Sequence, residues 1–385
     1  MSGVVDRHEV SGYLGGLLRR ATDLATRVGS AAAYADPATL DARRDAALLA
    51  SLRLDGSTLE ALPEALAAAS PAASTAATAD EPDGAADDPA PLDAPPSSTA
   101  TTPTPATRGR GTWFDAMRAF DDLPDAAVQA CEAHGVRAAA AADDLVDRLV
   151  EDPAAALAEL HRRLTAGLLA PDRAGQLRTS EQAVHDASIG RVIYFTADPD
   201  TLTTAVDDLA AWLRGPAGDL PPLLAAGVLH LELLRLHPYE AANGRLARAA
   251  ARLWLRRNGL DPAGLAVPEL ALAEDPLGYH EEVASTVRRR DASIWLERWA
   301  EAVVDGLRGS ARTLGVLPAA DTDLDPAEVH AAVDVLDPEF TIADARDRLH
   351  LADLAATGDR LEVLLDAGAI ARIPGTRGLR FRRVG

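Results

Sequence analysis

The hydrophobic positions of this chain recur mostly at helical spacing. Near its start Tyr13, Leu14, Leu17 and Leu18 line one helical face, and Leu48, Leu49, Leu52 and Leu59 form a second amphipathic run. Between 70 and 112 the pattern disappears into Pro, Ala, Ser, Thr, Asp and Gly, with Leu92 the only large aliphatic residue. Such a stretch cannot bury enough surface to offset its ordering entropy, so a disordered insertion is expected. Helical patterning resumes at Trp113 and Phe114, continues through Leu145 and Leu149, and takes in 155–169. One β signal interrupts it. Residues 181–186 and 191–196 flank Ala187-Ser188-Ile189-Gly190, and Val192, Ile193, Tyr194 and Phe195 in the second arm predict a hairpin. The spacing then predicts helices over 201–214, over 222–236 with Leu229, Leu233 and Leu236 in one stripe, and over 245–258, stopped by Gly259. After a looser stretch, 279–314 reads as one or two more helices. From Pro326 three short helices lead into Ala369-Ile370-Ala371-Arg372-Ile373, a Pro374-Gly375 turn and Leu379-Arg380-Phe381-Arg382, the order of a winged helix.

Composition sets outer bounds. At 385 residues and 48% hydrophobic content the chain has length for two or three domains with cores of their own. Its single cysteine, Cys131, excludes an internal disulfide framework and is expected to be a packed thiol rather than a nucleophile. With no leader-like segment at the start, a reducing cytoplasm is expected. Arg, Asp and Glu interrupt every apolar run before the roughly 20 residues a bilayer requires, so no membrane span is expected. A net charge of -21 argues against a polyanion-binding protein as a whole. The chain has no lysine, so an individual arginine needs a telling position before it implies a role.

Such a position is His237-Pro238-Tyr239-Glu240-Ala241-Ala242-Asn243-Gly244-Arg245-Leu246-Ala247-Arg248, which joins two apolar helices. Pro238 should end the first, while Ala242, Asn243 and Gly244 permit a tight turn whose N–H groups converge on an anion at the start of the second. Arg245 and Arg248 share a face in that helix's first turns, where each cation opposes the helix dipole by about 0.3–1 kcal/mol. A polyphosphate would offset that repulsion, and a histidine at the lip of the nest can take a proton from an attacking hydroxyl. Singly, His237 reads as a structural histidine, Asn243-Gly244 as a turn, and Arg245, Arg248, Arg252 and Arg256 as a solvated stripe. Joined at this spacing they read as phosphate chemistry with a built-in base.

The segment resembles the Fic-family signature HxFx(D/E)GN(G/K)RxxR, with His237, Asn243, Gly244, Arg245 and Arg248 in place and Tyr239 at the aromatic position. Arg178-Thr179 and the hairpin from Val184 to Phe195 resemble the family's target-docking flap, and His230 sits where the preceding helix often has a histidine. The resemblance implies that His237 deprotonates a Ser, Thr or Tyr hydroxyl of a protein, which attacks the α-phosphate of ATP. Asn243, Gly244 and Arg245 would hold the phosphates and Arg248 would reach the γ-phosphate. Two positions depart. Ala241 stands where an acidic residue carries magnesium, so the metal would be held weakly and no protein ligand for it is assigned; Glu240 is one residue out of place. Ala242 replaces the glycine of the nest, as in the related Doc subgroup.

Ser51-Leu52-Arg53-Leu54-Asp55-Gly56 resembles the family's inhibitory motif (S/T)xxxE(G/N), which implies that Asp55 pairs with Arg248 and excludes the γ-phosphate. Aspartate is one methylene short of the usual glutamate, so leaky inhibition is expected. The expected organisation is mainly α: N-terminal helices with the inhibitory motif over 1–62, the insertion over 63–112, a Fic (Fido) helical core with a short β-hairpin flap over 113–316, and a winged helix over 322–385. AMP transfer from ATP to a protein hydroxyl leads; a catalytically inactive nucleotide- or protein-binding protein comes second and a DNA-binding regulator third. Partners in this reading are a nucleotide, a protein docked on the flap, and a second copy of the chain. DNA is not favoured, because Asp353, Asp359, Glu362 and Asp366 on the presumed recognition helix oppose the basic wing of Arg372, Arg377, Arg380, Arg382 and Arg383.

Overall fold

The computed structural model describes residues 10–62, 113–115, 123–186, 191–261, 263–316, 326–373 and 380–384. The expected insertion over 63–112 and the turns at 187–190 and Pro374-Gly375 lie outside the described residues. Helices dominate: α1 (Gly12–Ala32), α2 (Pro37–Leu54), α3 (Asp125–Ala140), α4 (Arg148–Glu151), α5 (Pro153–Leu164), α6 (Leu202–Arg214), α7 (Pro222–Leu236), α8 (Asn243–Arg257), α9 (Glu269–Leu272), α10 (Pro276–Arg289) and α11 (Ser293–Thr313). Their starts follow local chemistry. Ser11 caps α1 and Asp36 caps α2 by accepting from N–H groups of the first turn, and Pro37, Pro153, Pro222 and Pro276 occupy first-turn positions that need no donor.

α7 is the axis of the fold. From Leu223 to Leu234 every residue is buried, as expected of a helix packed on all sides. α8 lies along it as the returning arm of a helical hairpin, and α11 crosses it where Gly227 leaves room for the Trp299 ring. Nε1 of Trp295 donates to Gly227 O at 2.8 Å and Nε1 of Trp299 to Leu223 O at 3.0 Å. One apolar core runs through α1, α2 and the helices from α3 to α11, so the N-terminal helices share the core of the segment that carries the loop.

The hairpin consists of β2 (Ala183–Asp186) and β3 (Arg191–Phe195), antiparallel with a register shift between Val184 and His185. Trp113 and Phe114, expected to begin a helix, instead lie in β1 (Trp113–Asp115), antiparallel to β2. A short aromatic run beside a sequence without periodicity fits either state, and the edge of β2 supplies the hydrogen bonds that decide it.

A second core holds the C-terminal unit: α12 (Pro326–Asp334), β4 (Glu339–Thr341), α13 (Ile342–Arg348), α14 (Leu354–Asp366), β5 (Ile370–Arg372) and β6 (Arg380–Arg383). The sheet order is β4-β6-β5, and Phe340 stacks on Phe381 with ring centroids 5.6 Å apart. β4 escaped sequence analysis because three residues carry no periodicity. Arg372, grouped with the basic wing from sequence, is turned inward: Nη2 donates to Glu362 Oε1 at 2.6 Å, and Nη1 to Asp305 Oδ1 at 2.5 Å. Among the described residues no helix is long and apolar enough to cross a membrane.

Beside Arg372, Tyr13 donates its hydroxyl hydrogen to Glu301 Oε1 at 2.8 Å. Burial pushes the Glu301 carboxyl up to about 7, with Asp305 and Glu362 adding to the rise while Arg372 and the Tyr13 hydroxyl oppose it. A carboxyl whose folded pKa is raised stabilises fully below its unfolded value and loses that contribution as pH climbs through the folded value. Glu301→Gln keeps the acceptor for Tyr13 and removes the titration. The wild type should therefore lose on the order of 1–3 kcal/mol between about pH 4.5 and pH 7 that the variant retains, read from urea unfolding across that range.

Candidate functional site

The loop between α7 and α8 is bracketed by two left-handed residues that are not glycine, His237 at φ 44 and Ala242 at φ 58. His237 ends α7, with its N–H on Leu233 O at 2.9 Å. Helix ends leave carbonyls without partners, and here a buried arginine takes them: Arg178 donates from Nε to His237 O at 2.5 Å and from Nη2 to Leu236 O at 3.1 Å, while its backbone N–H meets Pro238 O at 3.0 Å. Arg178 also donates to Ala197 O at 2.5 Å just beyond β3, so the flap and the end of α7 share one guanidinium.

Asn243 closes the loop on itself. Its Oδ1 accepts from Tyr239 N at 3.0 Å and its Nδ2 donates to Tyr239 O at 2.8 Å, so the side chain shapes the backbone. His161 on α5 supports the same turn. Its Nε2 donates to Ala241 O at 3.1 Å, its Nδ1 accepts from Gly175 N at 2.8 Å, and its ring stacks on Tyr239 at 4.3 Å. Those two bonds fix one neutral tautomer. Sequence analysis missed His161, although it was marked by being a polar residue on the otherwise apolar stripe of Ala156, Leu157, Leu160 and Leu164.

The His237 ring is oriented by its Nδ1, which donates to Leu234 O at 2.6 Å and thereby makes Nε2 the proton-accepting nitrogen. Tyr194 of the flap meets the ring edge-on, with centroids 6.2 Å apart. His230, two turns back along α7, lies deeper. Burial, with the charges of Arg248 and His280, holds it well below the ordinary histidine range, and its Nε2 pairs with the Tyr279 hydroxyl at 2.8 Å.

At the first turns of α8, Arg245 and Arg248 are buried together with Asp55 from the end of α2. Arg248 donates from Nε to Ser51 Oγ at 2.7 Å, and from Nη2 to Ser51 O at 2.8 Å and Asp55 Oδ1 at 2.7 Å. Burial disfavours the Arg248 charge, but the Asp55 carboxylate outweighs it and holds the pKa above its ordinary value. Asp55 thus reaches Arg248 despite its shorter side chain, because Gly56, at φ 87, turns the chain immediately after it and the carboxylate presses onto Gly244, which has no Cβ to obstruct it. Arg245 faces two carboxylates at ion-pair distance, Asp55 Oδ2 at 3.4 Å from Nε and Glu132 Oε1 at 3.3 Å from Nη1. Glu132, on α3, carried no sequence signal. Nε and Nη1 of Arg245 and Nη1 of Arg248 are nevertheless buried without a hydrogen-bond acceptor. Two of these three nitrogens face Asp55 and Glu132 as ion pairs without hydrogen-bond geometry, so an anion in their midst would add the hydrogen bonds that those carboxylates do not make.

The residues around the loop do not fit a protein-held magnesium. The Ala241 methyl packs against Leu169 and Ala174, and the Glu240 carboxylate pairs with Arg173. Among the described residues no group of three acidic, histidine or cysteine side chains is disposed to hold a metal. Cys131 is buried against Val128 and Leu168.

Ala242 bears the strain of a left-handed backbone, which costs a residue with a Cβ about 1 kcal/mol. Ala242→Gly should raise stability by about 0.5–1 kcal/mol in equilibrium urea unfolding, and Gly244→Ala should lower it by forcing Asp55 away.

Comparison with known proteins bears on residues 152–255, which match the family described as Fic/DOC family. Over 173 residues the chain is 28% identical to protein adenylyltransferase fic-1 of Caenorhabditis elegans, covering 44% of this chain and 32% of that protein. Over 110 residues it is 29% identical to the protein of the same name from Caenorhabditis briggsae, covering 28% of this chain and 20% of the other. The chain therefore spans about a third or less of the length of these relatives. A Fic family protein from Desulfovibrio desulfuricans G20 shares the fold over 95% of this chain and 96% of its own, with a TM-score of 0.50 and 18% identity. The segment from α5 through the loop to α8, which carries His237, Asn243, Gly244, Arg245 and Arg248, is thus of the Fic/DOC family.

Proposed function

We propose that the chain transfers AMP from ATP to a Ser, Thr or Tyr hydroxyl of a protein, and that Asp55 restrains it. The observation that carries this reading is the pairing of an oriented proton acceptor, His237 Nε2, with buried guanidinium donors that lack acceptors at the start of the next helix. In the reaction Nε2 takes the hydroxyl proton as the oxygen attacks the α-phosphorus. The bond to the bridging oxygen breaks, and pyrophosphate leaves with its charge balanced by Arg245 and Arg248. Asn243 acts by shaping the turn, so that the backbone at Asn243 and Gly244 meets the phosphates. The relatives' name, protein adenylyltransferase, agrees with this chemistry.

Asp55 lies against Gly244 with its oxygens on Arg248 and Arg245, the place a terminal phosphate would take. Ser51, Asp55 and Gly56 are read as the inhibitory motif, with α2 its carrier. A binding-only protein is the second reading, favoured by Ala241 and by the engagement of Glu240 with Arg173. The C-terminal unit is read as a winged helix. DNA recognition through α14 is disfavoured, because Glu362 and Asp366 point into the protein and pair with arginines there.

Asp55→Gly should increase transfer, and His237→Ala in that background should remove about 10²- to 10⁴-fold of it, followed by mass spectrometry with ATP and the protein itself as acceptor. Arg245→Ala should weaken ATP binding by about 1.5–3 kcal/mol in calorimetry. Unchanged ATP affinity in Arg245→Ala would remove the nucleotide-site reading.

Ala241→Asp combined with Asp55→Gly should raise magnesium-dependent transfer while lowering stability by about 1–3 kcal/mol, because the new carboxylate displaces the contact with Leu169 and Ala174. Lost stability with no gain in transfer, in a variant that still binds ATP, would favour the binding-only reading.

A further inference from the structure

The C-terminal unit is joined to the rest of the protein by a charge cluster whose centre, Arg308 with Glu362 and Asp366, is buried. Arg308 of α11 has a side chain only 3% exposed, and it pairs with Glu362 and, at 2.7 Å, with Asp366, both on α14. Arg20 of α1 also pairs with Asp366, and Arg372 of β5 pairs with Glu362 and with Asp305 of α11. Arg312 donates to Asp366 O at 3.2 Å, covering the end of α14. Glycines let the helices come this close. A Cβ at Gly358 of α14 would meet the Tyr13 ring at 2.8 Å, and one at Gly16 of α1 would meet Asp359 Oδ1 at 2.9 Å. The acidic face of α14 is therefore the complement of an arginine cluster in this same chain.

The arginine cluster adjoins the carrier of Asp55. Arg43 of α2 donates to Ser310 Oγ at 3.1 Å and to Gly306 O at 3.1 Å. Those acceptors belong to the stretch of α11, 305–310, whose Asp305 and Arg308 hold the C-terminal unit. Residues two apart on a helix point about 200° away from each other, so Gly306 and Arg308 present opposite sides of one turn. α2 grips this turn from one side and α14 from the other. α1, wedged between α11 and α14, connects to α2 through the short turn at 33–36.

We propose that the C-terminal unit is a clamp on the inhibitory helix: with α14 docked on Arg20 and Arg308, and Arg372 beside it on Asp305, α1 and α2 are held so that Asp55 stays on Arg248, and undocking of α14 loosens α2 and opens the anion site. This rests on the inhibitory role proposed above for Asp55. It gives the C-terminal unit a task within this chain and a reason for the acidic residues of its last helix.

The test uses the full chain with Asp366→Asn, which keeps volume and removes a charge, and Gly358→Leu, which forces α14 off Tyr13. Arg19→Ala, which breaks only an exposed pair with Asp359, serves as the control. Hydrogen exchange is followed over 12–32, 37–54 and 354–366, together with AMP transfer. The clamp requires both test variants to speed exchange over 37–54 on the order of tenfold, the scale of an ordinary coupling between sites. They should also raise transfer without adding to the effect of Asp55→Gly, and Arg19→Ala should do neither. Faster exchange over 12–32 and 354–366 with 37–54 unchanged would overturn the clamp. If Asp55→Gly leaves transfer unchanged, the inhibitory reading of Asp55 fails, and the exchange over 37–54 still decides whether α14 holds α2.

Discussion

Everything in this protein turns on two guanidinium groups buried at the wrong end of a helix. The first turns of α8 lie at its positive pole, yet Arg245 and Arg248 sit there almost without solvent. An arrangement of that kind persists only beside negative charge. Asp55 supplies it for Arg248, and Glu132 and Asp55 share it for Arg245. The N-terminal helices are accordingly part of the core, since removing α2 would leave both charges exposed to an incomplete set of partners.

The second constraint is the turn that separates these arginines from His237. Six residues must leave one helix and enter another while placing a ring on one side and a row of amides on the other. Left-handed backbone at His237 and Ala242 accomplishes the reversal, Asn243 locks it, and His161 and Arg178 hold it from α5 and from the base of the flap. His161 and Arg178 need touch no substrate. Their effect is to reduce the freedom of the loop to one geometry, which is what positions a base for proton transfer.

Much of this was legible in the sequence because it is local. The long helices follow from spacing, and the loop from a run of residues whose order has little structural purpose otherwise. What escaped analysis depends on distance along the chain. β1 exists because β2 offers an edge some 70 residues later. Glu132 and His161 act through space on residues more than 75 positions away; nothing around Glu132 announces it, and His161 is marked only by interrupting an apolar stripe. The acidic residues of α14 were visible, but their partners on α1 and α11 were not, so they read as repelling a duplex when they serve an interface instead. Arg372 was misassigned to the wing for the same reason.

The helical hairpin at the site also has a direction. α7 ends at His237 with its carbonyls gathered toward the loop, and α8 begins at Asn243 with its amides facing the same loop, so the negative pole of one helix and the positive pole of the next are separated by a single turn. A proton moving onto the His237 ring travels toward the negative pole. Electron density moving onto phosphate oxygens travels toward the positive one. The two displacements in the proposed transfer are of opposite sign and run in opposite senses across the gap, so the backbone dipoles favour both at once, while the Arg178 guanidinium on the last carbonyls of α7 tempers the first.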